Sequence, residues 1–291
     1  MLIVDQCPPQ ETLTRLRNKP ASPYLEISWP DVLVNAHYKK LEKEIPESAF
    51  TIFTVINEGH VHVETNRKAL RFCEDTLFIV NPYEAFEYRI DEQTPLHMLN
   101  VHLSLDTYQD MISSILLTDE NLLDDPQNQI DYAFTNHIHF NRPFYRKKFL
   151  NFASSSSEDY QLQLLDVLTQ IIERDQLAAK SIVSQRMSTR KELFKRVAMG
   201  KDIIFSKYND PELTIEALSR EVSMSKFHFI RVFREAFGFT PHKLIQQIRI
   251  HKALEYIRNG TMTHTDIAYK IGLQETNSLY PLIREHRYQL N

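Results

Sequence analysis

Residues 225–238 hold the side chains of this chain best suited to recognising another molecule. Phe229, Val232, Phe233 and Phe237 recur there at helical spacing and turn inward. Lys226, Phe227, His228, Ile230, Arg231 and Arg234 are left on the other faces. An exposed guanidinium can take guanine O6 and N7 bidentately, worth ~1–3 kcal/mol of discrimination between bases, and Arg231 is the best single candidate for it. Phe227 and Ile230 can make only apolar contacts, for example to thymine methyls. Arg234, with Lys243, Arg249 and Lys252 further along, suits phosphate, which adds affinity without sequence information. For each of those four a merely solvated surface charge is an equal alternative.

Two helix-turn-helix units and a spacer must position these residues. The first unit spans about 213–238. Thr214 is placed to cap a helix whose inner face is Ile215, Leu218 and Val222. Ser223-Met224-Ser225 makes the break, Ser225 can cap the reading helix, and Gly238 ends it. The second unit spans about 263–285. Thr263-His264-Thr265-Asp266 opens it like a capping box, with Ile267, Ala268 and Ile271 inward and Gly272 closing the first helix. Leu279, Leu282 and Ile283 mark a last helix. Between the units, 241–258 reads as a helix opening on Thr240-Pro241 with Leu244, Ile245, Ile248, Ala253, Leu254 and Ile257 inward. It spans roughly 27 Å, near the ~34 Å between successive major grooves on one face of B-DNA.

These markers resemble one family. L-x-x-E-A-L-S, S-K-F-H-F-I-R-V-F-R, F-G-F-T-P, I-R-I-H-K-A-L and D-I-A-x-x-I-G-L together resemble the DNA-binding domain of the AraC/XylS regulators, over 189–291. The resemblance implies that the first reading helix presents Phe227, Ile230 and Arg231 to bases, with Lys226 and His228 nearby. It implies promoter DNA, RNA polymerase, a small-molecule effector and a second copy of the chain as partners, with activation the commoner mode. The second unit departs from the pattern. Pro281 stands where an arginine usually reads or clamps DNA, and a proline inside a helix costs ~3 kcal/mol. In the first turn it is tolerated, and a helix that starts late is the alternative reading. The residues up to Asn291 also lack the glycine and Ser-Pro-x-x-Tyr-Arg tail usual in the family. Asn277, Ser278 and Tyr280 are the exposed candidates there, in a unit expected to bind mainly backbone.

Charge divides the chain the same way. Residues 190–291 carry 17 Lys and Arg against 11 Asp and Glu, whereas residues 1–189 carry 17 against 27. A basic module on an acidic body is the footprint of a DNA binder, and the net charge of −4 hides it.

In the acidic part, 24–102 reads as short alternating strands, clearest at 51–57, 60–65, 69–72, 76–80, 86–90 and 96–103. Evenly spaced short strands suggest a small antiparallel barrel. This resembles the cupin-like sensor that precedes the DNA-binding domain in many of these regulators. Trp29, Tyr38, Phe53, Phe78 and Phe86 are then candidates to line an effector pocket at the barrel mouth, and core is the commoner fate of such residues. His60-x-His62-x-Glu64 puts two histidines and a carboxylate on one strand face, a set that can hold a transition metal. Enzymatic cupins add a later histidine, and Phe86 occupies that place here. A solvent-facing strand is the better reading, so no metal, cofactor or catalytic residue is assigned. His137-x-His139 is weaker still, and no nucleophile is paired with a base at a family-specific spacing.

From 104 to 188 the sequence is mainly helical. Met111, Ile112, Ile115 and Leu116 form one stripe, and Leu164, Leu165, Leu168, Ile171 and Ile172 form another. They pack on the barrel or pair two copies. Residues 176–188 read as a linker, and Thr189-x-x-Glu192 as a capping box opening the last domain. Cys7 and Cys73 make no disulfide framework, MLIVDQCPPQ lacks the pattern of a signal peptide, and no stretch approaches a membrane span, so a cytoplasmic protein is expected.

The expected architecture is α+β and multidomain. An N-terminal antiparallel barrel (1–103) is followed by a helical region (104–188) and an all-α domain with two helix-turn-helix units on a linker helix (189–291). The expected function is an effector-responsive, dimeric, sequence-specific transcription regulator. Two alternatives stand beside it: a metal-dependent cupin enzyme fused to a DNA-binding tail, and a non-sensing co-regulatory protein with weak DNA binding.

Overall fold

Alternation of buried and exposed residues, as in His60–Thr65, builds a sheet with one side inward, and long apolar stripes build the helices that cover its other side. The computed structural model describes residues 2–4, 31–65, 68–117, 130, 132–140, 143–152, 157–184, 186–260 and 262–289. Its contacts cluster into two units, Met1–Arg174 and Asp175–Asn291.

In the first unit the strands are β1 Leu2–Val4, β2 Val32–Ile45, β3 Phe50–Val55, β4 His60–Thr65, β5 Ala69–Cys73, β6 Thr76–Val80, β7 Phe86–Leu103 and β8 Ile138–Phe140. Their order is β1-β2-β7-β3-β6-β8, with β4 pairing both β5 and β7. All pairings are antiparallel except β1 with β2. The long strand β7 organises the whole: its first residues pair β4, its last pair β3, and β2 runs along its other edge with a bulge between Tyr38 and Lys40. A bulge bends a strand and raises its twist, and the sheet curls into a nearly closed barrel.

One face of this sheet carries helices: α1 Leu105–Leu116, α2 Pro143–Phe152 and α3 Ser157–Ser181. Leu33, Phe50, Ile52, Leu99, Val101 and Leu103 from the strands pack with Tyr108 and Ile112 of α1, Tyr145 and Phe149 of α2, and Leu164, Leu168 and Ile171 of α3. Asp31 ties this layer together, accepting from Ser104 N (2.8 Å), Thr107 Oγ1 (3.0 Å) and Tyr160 Oη (3.1 Å). The other face points into the barrel and is aromatic. Phe53 has the rings of Phe72, Phe78, Phe86 and Tyr88 at 5.5–6.4 Å.

The second unit is helical: α4 Met187–Lys207, α5 Ile215–Glu221, α6 Lys226–Phe237, α7 Pro241–Asn259, α8 His264–Lys270, a 3-10 turn Thr276–Ser278 and α9 Leu279–Gln289. Local chemistry sets most of the ends. Thr214, Thr240 and Thr263 cap α5, α7 and α8 through their hydroxyls, and Gly238 and Gly260 close α6 and α7 in the left-handed region. Two expectations need correction here. Helix α3 runs on to Ser181 and α4 begins at Met187, so the break between them is far shorter than the expected linker. Thr189 therefore lies inside the first turn of α4 and caps nothing, and Glu192 bonds Arg196 one turn on at 3.0 Å.

Candidate nucleic-acid interface

The turn of the first helix-turn-helix is held from below. Ser223 adopts φ 56°, a left-handed conformation unusual for serine, and its carbonyl accepts from Arg196 Nη1 of α4 at 2.7 Å. Met224 N donates to Ser219 O at 2.8 Å, so the chain reverses within three residues and launches α6. Ser225 has the extended backbone of an N-cap but its side chain makes no capping bond, contrary to expectation. Beneath α6, Phe229 lies so close to Gly200 of α4 that a Cβ there would sit 2.7 Å from its ring. Only glycine lets the two helices approach this far.

Phe229, Val232 and Phe233 are fully buried, which aims the opposite face outward. Phe227 is 83 % exposed, the most exposed large apolar side chain among the described residues. Arg231, one turn on, is also exposed, with Nη1 3.6 Å from Glu235 Oε1. Arg234 follows, exposed, while His228 and Ile230 are half-buried at the flanks. Lys226 is engaged differently: its Nζ bonds Glu216 of α5, and that hydrogen bond holds the Glu216 carboxyl below its ordinary range. Lys226 thus braces the two helices of the unit at the edge of the exposed face.

In the second unit, α9 begins only at Leu279, so Pro281 falls in its first turn, where its missing N–H has no intrahelical partner to lose. Asn277 and Ser278 are exposed in the preceding 3-10 turn. Tyr280 is 59 % exposed, and its hydroxyl lies 2.9 Å from His264 Nδ1 at the start of α8.

Residues 218–287 match the family model of a helix-turn-helix domain. The C-terminal unit is an AraC-type helix-turn-helix domain. Among curated proteins, the transcriptional activator RhaS of Escherichia coli strain SE11 is 25% identical over 114 residues, and RhaS of strain K12 matches equally. The aligned part covers 38% of this chain, and the chain spans 41% of the length of these relatives. Among solved structures, the C-terminal domain of the response regulator YesN from Fusobacterium nucleatum aligns with 30% of this chain and 90% of its own, at 22% identity and a TM-score of 0.29. ToxT from Vibrio cholerae O395 aligns with 84% of this chain and 93% of its own, at 9% identity and a TM-score of 0.31.

Two residues expected on the phosphate-facing surface of the AraC-type domain are drawn inward instead. Arg249 of α7 donates from Nε to Tyr208 O (2.8 Å) and from Nη2 to Asp210 O (3.3 Å), and desolvation there lowers its pKa. It satisfies carbonyls just past the end of α4. Lys252 is buried with Nζ 3.2 Å from Glu255 Oε2. Ile257, expected inward, is partly exposed. Gly272 completes the grip on the same loop: at φ +80°, a Cβ on it would sit 2.5 Å from Asn209 O. Loop 208–210 is therefore held by the spacer helix and by the second unit at once. Sequence alone gave no sign of this, because a docking contact some 40 to 60 residues away leaves no local pattern.

The first unit of the chain places the remaining candidates. Phe53, Phe78 and Phe86 are buried in the aromatic interior of the barrel, Tyr38 is half-buried at the bulge, and Trp29 lies outside the described residues. His60, His62 and Glu64 lie on the face of β4 opposite buried Val61 and Val63. His60 is turned to Glu92, whose Oε1 accepts its backbone N–H at 2.7 Å, and desolvation, then Arg71, lower the His62 pKa. His137 lies 3.6 Å from Glu84 and stacks on Phe78, and His139 Nε2 lies 3.0 Å from Asn136 O, so both serve the β6–β8 edge. Among the described residues, no helix is long and apolar enough to cross a membrane.

Proposed function

We propose that this chain is a cytoplasmic, sequence-specific transcription regulator that reads promoter DNA mainly with α6. The observation that carries the reading is the outward face of α6 in an AraC-type domain, where Phe227, Arg231 and Arg234 stand free of the core at successive helical turns. Arg231 takes a guanine edge, and its contact at 3.6 Å to Glu235 is loose enough to exchange for a bidentate base contact. Phe227, with Ile230 beside it, meets thymine methyls. Lys226 and His228 flank the bases, and Arg234 meets phosphate. Asn277, Ser278 and Tyr280 of the second unit touch the neighbouring turn of DNA, chiefly its backbone.

The barrel senses a small effector, and two copies pair through the first unit. Effector binding then favours one arrangement of the DNA-binding units, by as much as its affinity for the two states differs. RNA polymerase is the partner of the DNA-bound form. Genomic fragments selected with the purified protein at two salt concentrations should yield one motif with a well-defined half-site. Arg231→Ala should then lose ~1–3 kcal/mol of specific binding and relax the preference at one position. Unchanged specific affinity in that variant would remove α6 as the reader.

A further inference from the structure

Two polar side chains of β7, Asn100 and His102, enter the aromatic and aliphatic interior of the barrel beside Thr51. Asn100 and His102 share one face of the strand, being two residues apart. Their cross-strand partners are Phe53 and Thr51 on β3, and Val34 and Val32 on β2. That face is the inner one, because the intervening Leu99, Val101 and Leu103 join the helix-covered core, and Phe53 meets His102 edge-on at 6.1 Å. Asn100 is buried, and its Oδ1 has no hydrogen-bond partner among the described residues. A buried acceptor left this way costs ~1–3 kcal/mol, where a leucine would cost nothing. The residue is thus poorly explained as core.

The protonation of His102 follows from its neighbours. Its Nδ1 lies 2.9 Å from Thr51 Oγ1, and the Thr51 hydroxyl gives its own proton to Ala49 O at 3.1 Å. The threonine oxygen must therefore accept, and Nδ1 carries the ring proton. Burial pushes the His102 pKa down to about 4, so the ring is neutral at pH 7 and Nε2 is an acceptor. His102 nevertheless keeps accessible surface, while Val101 and Leu103 on either side are fully buried.

We propose that Asn100 Oδ1 and His102 Nε2 form the polar end of a binding site for an uncharged ligand that donates hydrogen bonds from an aromatic or apolar body, of the phenol, indole or amide type. The inference rests on the sensing role given to the barrel and adds the chemistry of what it senses. A carboxylate would set its lone pairs against two acceptors in an apolar enclosure, so anionic ligands are refused. Val34 and the Phe53–Phe78 ring pair supply the apolar wall.

The test is the thermal midpoint of the full chain with indole, phenol or benzoate at millimolar concentration. Indole and phenol are expected to raise it and benzoate to leave it unchanged. Asn100→Leu should abolish the gain while its own unliganded midpoint holds or rises, since it removes an orphaned acceptor. His102→Gln provides a second variant of the same site and should weaken the gain. A benzoate shift as large as that of indole overturns the proposed ligand class. So does a gain that survives Asn100→Leu, or the absence of a shift with all three probes. Failure of the sensing role looks different: the probes then bind with the stated dependence on Asn100, yet the affinity of the chain for its selected DNA fragment does not change.

Discussion

Phe227 offers the sharpest test of the proposal that α6 reads DNA. At 83 % exposure its ring contributes almost nothing to the fold, so Phe227→Ala should leave the unfolding free energy within ~0.5 kcal/mol of the parent. Against DNA the ring has most of its surface still to bury. Pressing it on a thymine methyl and the flanking sugar removes a fraction of that surface from water, worth ~1–2 kcal/mol, or roughly five- to thirtyfold in affinity. The DNA side can be cut more finely. Replacing each thymine of the half-site by deoxyuridine deletes one methyl and leaves every hydrogen bond intact, at a cost of about 0.8 kcal/mol, near fourfold, where the methyl meets the ring. Titrations of both proteins against both DNAs close a double-mutant cycle. One thymine position should show the fourfold loss with the parent and none with Phe227→Ala. Equal losses in the two proteins at every position, or a variant that binds its specific site unchanged, would refute the apolar reading of the α6 face.

Three further outcomes are expected. Gly272→Ala places a Cβ 2.5 Å from Asn209 O and forces alanine to φ +80°, so it should destabilise the second unit by about 2 kcal/mol or more by chemical denaturation. Arg249→Ala frees the carbonyls of Tyr208 and Asp210 and should weaken binding to a full operator more than to its first half-site, compared by titration. For pH, His102 titrates near 4 when folded against 6.5 when unfolded. Between those values the unfolded chain binds the extra proton, so stability is fully present above 6.5 and falls by up to ~3 kcal/mol as the pH drops to 4. His102→Gln should remove that part of the acid sensitivity, read as a flatter plot of unfolding free energy against pH.

How much of this was legible in the sequence depends on the range of the interaction involved. Helix ends set by a threonine hydroxyl or a left-handed glycine were readable, because cap and capped N–H lie within three residues, as for Thr240 with Lys243 and Thr263 with Asp266. Strands β4 and β6 were readable from alternation or an unbroken apolar run. Strand β7 read as two, because Asp91, Gln93 and Thr94 interrupt the apolar pattern while the backbone continues to pair with β2 on both sides of its bulge. Strand β8 was missed, since its one sheet partner among the described residues, β6, is some 60 residues away. The face of α6 was legible from helical periodicity, but Arg249 and Lys252 were not distinguishable from surface cations. A charge drawn into carbonyls or a carboxylate has the same letter as one in water, and only the fold separates them. Thr189 failed differently: α4 starts at Met187, ahead of the capping pattern, with Arg186 at its N-cap making no side-chain bond and an exposed first turn.

Loop 208–210 is gripped from two sides, by a guanidinium on the spacer helix and by a glycine of the second unit packed on its backbone. The two helix-turn-helix units, if both meet DNA as proposed, are thereby set like the jaws of a locked caliper. The 19-residue spacer α7 measures roughly 28 Å, several ångströms short of the ~34 Å pitch between grooves on one face of straight DNA. A locked caliper leaves the duplex to make up the difference, by bending or by compressing the groove between the half-sites. Base pairs that no side chain touches would then be chosen for their compliance, with pyrimidine–purine steps favoured over stiff A-tracts. Part of the operator would be written in the mechanics of the DNA instead of in its edges.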